Sequence, residues 1–275
     1  MADKKKLFLL VSYFNEKEVA EFVTSQLNNL LNDTIHAVII DNGSFEPEIL
    51  EKLCNSNLSL TLCKPENNIG YFGAAHYGLN HYLKINNLPD LIIICNTDIS
   101  FEGISFIKQL DKIYDEKKFD VLGPDIYSTF LKYHQNPYIA KRISRQKMQI
   151  YKWVTSSQYL YTIFTLLHLI KTTVVKSNQN KITNEIDTYA IHGSFMIFNK
   201  TYFTKGGSIN YPSLLFGEEI FVAETALQRG LKVIYEPSLH IEHRQNATTN
   251  SFKSKKLVQL MNQSYRYLLK TFFIK

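Results

Sequence analysis

Apolar runs of strand length alternate with stretches of helical periodicity through the first part of the chain. Residues 7–11 are uninterrupted apolar positions, the pattern of a parallel strand covered on both faces. Asn15 followed by Glu18 predicts a capping box, after which Val19, Phe22, Val23, Leu27 and Leu30 recur at helical spacing. A second buried strand is expected over residues 35–40, closing in the turn sequence Asp41-Asn42-Gly43-Ser44. Residues 48–53 read as a short helix and 58–63 as a third strand. Residues 74–85 read as a helix with Ala75, Leu79, Tyr82 and Leu83 on one face, and residues 91–95 as the most apolar strand. This βαβ series predicts an α/β fold built on a parallel sheet with right-handed crossovers.

Polar residues fall where such a sheet receives a ligand, beyond the carboxyl ends of its strands. Those ends are Ser12-Tyr13-Phe14-Asn15, Asp41-Asn42-Gly43-Ser44 and Asn96-Thr97-Asp98. No GxGxxG follows the first strand and no GxxxxGK[ST] occurs, so dinucleotide dehydrogenases and P-loop NTPases drop out.

Each further motif has a plain reading beside a chemical one. Asn96-Thr97-Asp98 is a strand-ending turn, or a carboxylate holding a hard divalent cation against a diphosphate. The segment from Asn67 through Asn68, Ile69, Gly70 and Tyr71 to Ala75 is a tight turn, or one whose small residues let backbone approach a ligand. Glu218 and Glu219 open a predicted helix in which Ile220, Ala223 and Leu227 share a face, and acids there ordinarily complement the helix dipole. His240 and His243 end a predicted strand, where one histidine is usually structural and two at this spacing only hint at metal.

Taken together and in this order, these segments resemble family 2 glycosyltransferases over nearly the whole chain. The opening strand leads into Ser12-Tyr13-Phe14-Asn15, one residue longer than usual, and Asp41-Asn42-Gly43-Ser44 matches the family's nucleotide-base motif. Asn68-Ile69-Gly70-Tyr71 matches its Asn-x-Gly-aromatic segment, and Asn96-Thr97-Asp98 is a reduced Asp-x-Asp. His192 to Phe198 resembles the strand beside the acceptor, Glu218-Glu219 the Glu-Asp helix start, and Pro237 with His243 the Pro-x5-His ending. The resemblance implies a GT-A, Rossmann-like, mostly parallel sheet flanked by helices. It also implies an inverting, metal-dependent hexosyltransferase that displaces a nucleoside diphosphate in line at the anomeric carbon. Asp98 and His243 would hold Mn²⁺ or Mg²⁺, Glu219 would be the base with Glu218 its competitor, and Asp41 would bind the pyrimidine. Ser12, Tyr13, Asn15, Asn42, Gly43, Ser44, Asn68, Gly70, Tyr71, Asn96 and Thr97 would line the nucleotide site. Expected partners are a UDP- or dTDP-sugar and a glycan or lipid-linked glycan acceptor of cell-surface polysaccharide synthesis. Asn96 in place of the first acid, and Glu219 in place of Asp, depart from the family pattern.

Charge divides the chain unevenly. Its net charge is +6, yet no acid lies between Asp125 and Glu185, where nine Lys or Arg occur; setting these aside leaves 22 basic against 25 acidic residues. The segment also holds the only tryptophan, Trp153, and an apolar stretch of 12 residues over 159–170. A bilayer span needs about 20, so the expectation is an amphipathic helical pair lying on an anionic leaflet, or a solvated basic hairpin. The chain is read as one domain: residues 1–125 bind donor, 126–186 form the basic helical insertion, 187–250 the acceptor half and 251–275 a C-terminal helix. In that helix Leu257, Met261, Tyr265, Leu268 and Phe272 make one stripe, read as core packing. Cys54, Cys63 and Cys95 form no CxxC pair and read as reduced thiols, without disulfides or zinc, in a cytoplasmic protein peripheral to the inner membrane face. Two other classes stay open: a nucleotidyltransferase, which would want a Gly-rich basic loop after the first strand, and a nucleic-acid-binding module. The basic segment lies apart from the strand-end polar groups, so no nucleic-acid partner is expected.

Overall fold

The computed structural model describes residues 4–30, 34–43, 45, 46, 48, 49, 53, 58–174, 182–244 and 254–274, with backbone alone for 168–174. Ser44, Cys54 and residues 50–52 of the short helix expected over 48–53 lie outside them. The predicted strands appear as β1 (Lys6–Ser12), β2 (Ile35–Asp41), β3 (Ser59–Cys63) and β4 (Leu91–Cys95). Further strands are β5 (Ile99–Ser100), β6 (Val121–Ser128), β7 (Tyr133–His134), β8 (Ile186–Asp187), β9 (Phe195–Asn199) and β10 (Val233–His243). They form one sheet in the order β3-β2-β1-β4-β9-β6-β10-β5, with β7 on β6 and β8 on β10.

Strands β1 to β4, β6 and β10 run one way, while β9 runs antiparallel between β4 and β6. The parallel sheet read from the βαβ series is therefore interrupted by one reversed strand. The buried apolar runs give no orientation, because a strand covered on both faces looks the same in either direction.

Alternation along the strands divides the core. Leu7, Leu9, Val38, Ile40, Ile92 and Ile94 face one layer, packing with helices α2 (Tyr71–Leu83), α7 (Glu218–Gln228) and α8 (Lys255–Phe272). Phe8, Leu10, Ala37, Ile39, Leu91 and Ile93 face the other, with α1 (Glu16–Phe22) and α3 (Gly103–Glu116). The remaining helices are α4 (Arg145–Val154), α5 (Gln158–Val174) and the short α6 (Lys200–Thr204).

Three local readings change. Asn15 makes no side-chain cap on α1; its Oδ1 instead accepts from Tyr13 N at 2.8 Å and Ser12 Oγ at 3.2 Å. Leu227 is exposed, and Ala226 joins Ile220 and Ala223 on the buried face of α7. The segment read as a helical insertion from 126 begins as the end of β6 and a loop against the sheet, and its helices start only at Arg145.

Candidate active site

The three polar strand ends meet. Asn15 Nδ2 donates to Thr97 Oγ1 at 3.3 Å, and the Thr97 hydroxyl donates to Glu18 Oε1 at 2.5 Å, fastening the end of β1 and α1 to the loop after β4. Asn42 Nδ2 donates to Asn68 Oδ1 at 2.9 Å, its Oδ1 accepts from Ile69 N at 3.1 Å, and Gly70 N donates to Asn68 Oδ1 at 2.9 Å. Asn42, Asn68 and Thr97 thus turn their polar atoms on protein partners and hold the loops in place. Asp41 accepts from Gly43 N at 3.0 Å and pairs with Lys64 at 2.8 Å. Tyr13 and Phe14, the latter at φ 57°, stand exposed with rings 4.7 Å apart beside Gly43. Ser12 is buried under them.

His243 Nε2 lies 3.1 Å from Asp98 Oδ1. Its Nδ1 is 2.8 Å from Gln135 Oε1, which holds the ring with Nε2 toward the carboxylate. No cluster of three or more His, Cys, Asp or Glu that would hold a metal occurs among the described residues. Two protein ligands suit a hard cation whose remaining ligands are phosphate oxygens and water. The bulge that shifts the β10–β6 register between Glu236 and His240 fixes which side chains reach this site. His240, on the opposite face, pairs with Asp125 at 2.8 Å, apart from His243.

From His243 the site continues into the acceptor side. The His192 ring stands 6.0 Å from that of His243, and His192 N donates to Asn136 Oδ1 at 2.7 Å. Burial pulls the His192 imidazole down to about 3, so it is neutral. Asn96 N donates to Ser194 O at 2.8 Å, tying the loop after β4 to this turn. Gly193 N donates to Glu219 Oε1 at 3.3 Å, and a Cβ on Gly193 would sit 2.9 Å from that oxygen. Tyr71, placed by the turn at Gly70 (φ 81°), has a buried hydroxyl with no hydrogen-bond partner among the described residues. Burial and the nearby Cys95, Glu218, Asp98 and Glu219 hold its phenol protonated.

The two adjacent glutamates differ. Both are pushed above the ordinary carboxylate range by burial, and Glu218 is raised further by the charge of Glu219. Glu219 accepts the Gly193 N–H, which favours its charged form, and its charge is the leading reason that the Tyr138 phenol is raised well above the ordinary value. Their helix start is held by backbone: Phe216 (φ 71°) and Gly217 (φ 88°) both adopt the left-handed region. Phe216 O accepts from Ser264 Oγ at 2.6 Å and Tyr211 Oη at 3.1 Å, and a Cβ on Gly217 would meet Ser264 Oγ at 2.5 Å.

Sequence reasoning missed Lys64, Gln135, Asn136 and Tyr138. The last three lie in the stretch read as insertion and lack a motif; only the fold brings them beneath the two histidines. Arg142, one of the nine cations of the basic segment, finds its partner far along the chain. Arg142 Nε and Nη2 each lie 2.8 Å from the carboxylate oxygens of Glu224, itself buried and accepting from Tyr189 Oη at 2.6 Å.

The fold recurs in known proteins. The chain is 22% identical to rhamnosyltransferase WbbL of Escherichia coli (strain K12), over 94% of this chain and 91% of WbbL. Among solved structures it is similar to GalNAc-T7 with UDP, GalNAc and Mn²⁺, with a TM-score of 0.58 and 13% identity over 97% of this chain and 48% of that one. Mannosyltransferase PcManGT from Pyrobaculum calidifontis, in complex with GDP-Man and Mn²⁺, gives 0.52 at 13% identity over 90% of this chain and 59% of that one. TarS from S. aureus gives 0.54 at 13% identity over 97% and 72%. The fold is GT-A, and the chain spans about half of each of the first two structures. The model of glycosyl transferase family 2 matches residues 8–203, so the chain belongs to that family.

Proposed function

We propose that the chain transfers a sugar, with inversion, from a UDP- or dTDP-sugar to a hydroxyl of a glycan or lipid-linked glycan acceptor in cell-surface polysaccharide synthesis. One observation above all supports this: the turn at residues 192–194 joins the Asp98–His243 pair to Glu219. The first would hold a diphosphate and the second would receive an acceptor hydroxyl. Glu219 takes the acceptor proton, the acceptor oxygen bonds to the anomeric carbon, and the bond to the diphosphate breaks with its electron pair leaving on the diphosphate oxygen. When bound, a divalent cation on Asp98 and His243 supplies positive charge to the departing diphosphate, as the Mn²⁺ in similar structures suggests. His192 stays neutral, Gln135 and Asn136 fix the two imidazole-bearing segments, and Glu218 retains its proton. Asp41, with Lys64 beside it, faces the base, and exposed Tyr13 and Phe14 offer ring faces to it.

The test is nucleoside diphosphate release from a panel of sugar nucleotides, with UDP and dTDP binding followed by calorimetry with and without Mn²⁺. Asp98→Ala is expected to keep its fold and lose the Mn²⁺-dependent part of nucleotide binding. Equal binding by wild type and variant in Mn²⁺ would remove the metal from Asp98.

A further inference from the structure

Helix α5 is apolar, yet none of its residues 158–167 is buried. Tyr159, Phe164, Leu166 and Leu167 are exposed, and so are Ile150 and Trp153 one turn apart on α4. Such a face is costly in water unless something covers it. Beside it, Arg145, Gln149 and Lys152 of α4 and Arg266, Leu269 and Lys270 of α8 line a cavity of about 270 Å³. Its four cations are exposed, no acid lines it, and none of the four forms an ion pair among the described residues. On α4 the basic strip (Arg145, Lys152) and the apolar strip (Ile150, Trp153) are adjacent parts of one exposed arc.

We infer that this face is a docking surface for an anionic membrane, with lipid phosphates in the basic cavity and the exposed side chains of α4 and α5 entering the headgroup boundary. The pairing of apolar and cationic surface selects the occupant. A nucleic acid would leave the apolar side chains in water, and a second copy would set one basic cavity against another. Neither helix crosses the bilayer, since no helix among the described residues is long and apolar enough; an interfacial position fits both. The surface also adjoins the site. Tyr265, next to Arg266, packs on Tyr151 of α4 with rings 5.4 Å apart, and burial first, then Tyr151 and Glu219, hold its phenol protonated. A lipid-linked acceptor rising from the membrane would thus arrive at Glu219; this last step alone rests on the proposed transfer reaction.

The test uses the full chain and reads membrane binding without any catalysis. Vesicles of phosphatidylglycerol mixed with phosphatidylcholine are compared with phosphatidylcholine alone, by sedimentation and by the emission of Trp153, the only tryptophan. Binding to the anionic vesicles only, with blue-shifted emission, is expected, weakening as salt rises from about 50 to about 500 mM. Each cation near the surface contributes roughly fivefold to partitioning, so Arg145→Glu, Lys152→Glu, Arg266→Glu and Lys270→Glu together should lower it at least about 100-fold. The milder four-fold Gln variant, with an unchanged melting temperature, guards against misfolding and should still lose at least about tenfold. Tyr159→Ser with Leu167→Ser should weaken binding at every salt concentration. Equal binding to both vesicles, no binding to either, unshifted Trp153 emission, or retention of nucleic acid without vesicle binding would each overturn the inference.

Discussion

Strand β4 and the first part of helix α5 are both rich in large apolar residues, but they meet opposite fates. All five residues of β4 are at most 1% exposed, whereas none of the α5 residues 158–167 is buried. The strand lies between two layers of the same chain, so its hydrophobicity is satisfied internally. Among the described residues no side chain over 158–167 of the helix is fully covered, and its hydrophobicity stays available to something else. Hydrophobic content alone therefore does not distinguish a core from a contact surface; the neighbouring elements do.

The contrast is tested most severely by placing the same polar residue in both places. Ile93→Ser removes buried methyl groups and buries a hydroxyl, and is expected to cost about 4 kcal/mol or more in denaturant unfolding. A loss under about 1 kcal/mol would mean the sheet centre is not the core described.

A second test separates a cation of the basic segment that pairs with a buried acid from one on an exposed helix position. Arg142→Ala leaves the buried Glu224 carboxylate without its counter-ion, at a cost of about 3 kcal/mol and a fall in melting temperature of roughly 5–10 °C. Lys147→Ala, on an exposed position of α4, should stay within about 0.5 kcal/mol. Equal melting of the two variants would erase the distinction.

The catalytic region gives the next effect. Glu219→Gln should lower turnover by roughly two orders of magnitude or more, with nucleotide affinity little changed. Glu218→Gln should keep near-normal turnover, because Glu218 already holds a proton at neutral pH. A dead Glu218→Gln beside an active Glu219→Gln would exchange their roles.

The pH profile follows from the same pair. Glu219 must be ionised to accept a proton and its pKa is raised by burial, so activity should fall on the acid side at a pH above the ordinary carboxylate range. Glu218→Gln should leave that limb in place. A raised carboxylate pKa lowers folded-state stability as pH rises through it, so this variant should gain stability relative to wild type on the alkaline side. An acid limb at the ordinary carboxylate value would deny the burial of the base.

The smallest effect completes the comparison with β4. Leu167→Ser should change stability by no more than about 0.5 kcal/mol, since the side chain is already 63% exposed. A large loss would show that α5 is covered by this chain after all.

Sequence alone determined strands β1 to β4 and helices α1 and α2, because a helical or two-residue period or a buried run depends only on neighbours along the chain. It also brought Asp98, His243, Glu218 and Glu219 forward as candidates, since strand ends and helix starts are local features. What it left open needed contacts between distant segments. The reversed direction of β9, the β10 bulge ahead of His240 that sets which side chains reach the site, and the turn joining Asp98 to Glu219 arise only when the sheet assembles. Gln135 and Asn136 carry no signal of their own, because a positioning role belongs to the partner they hold. Arg142 and Lys147 look alike in sequence, and Glu224, 82 residues from Arg142, makes one structural and leaves the other in solvent. Only the fold decides whether an apolar or charged side chain finds its partner within the chain, because burial is a property of what surrounds a residue in space.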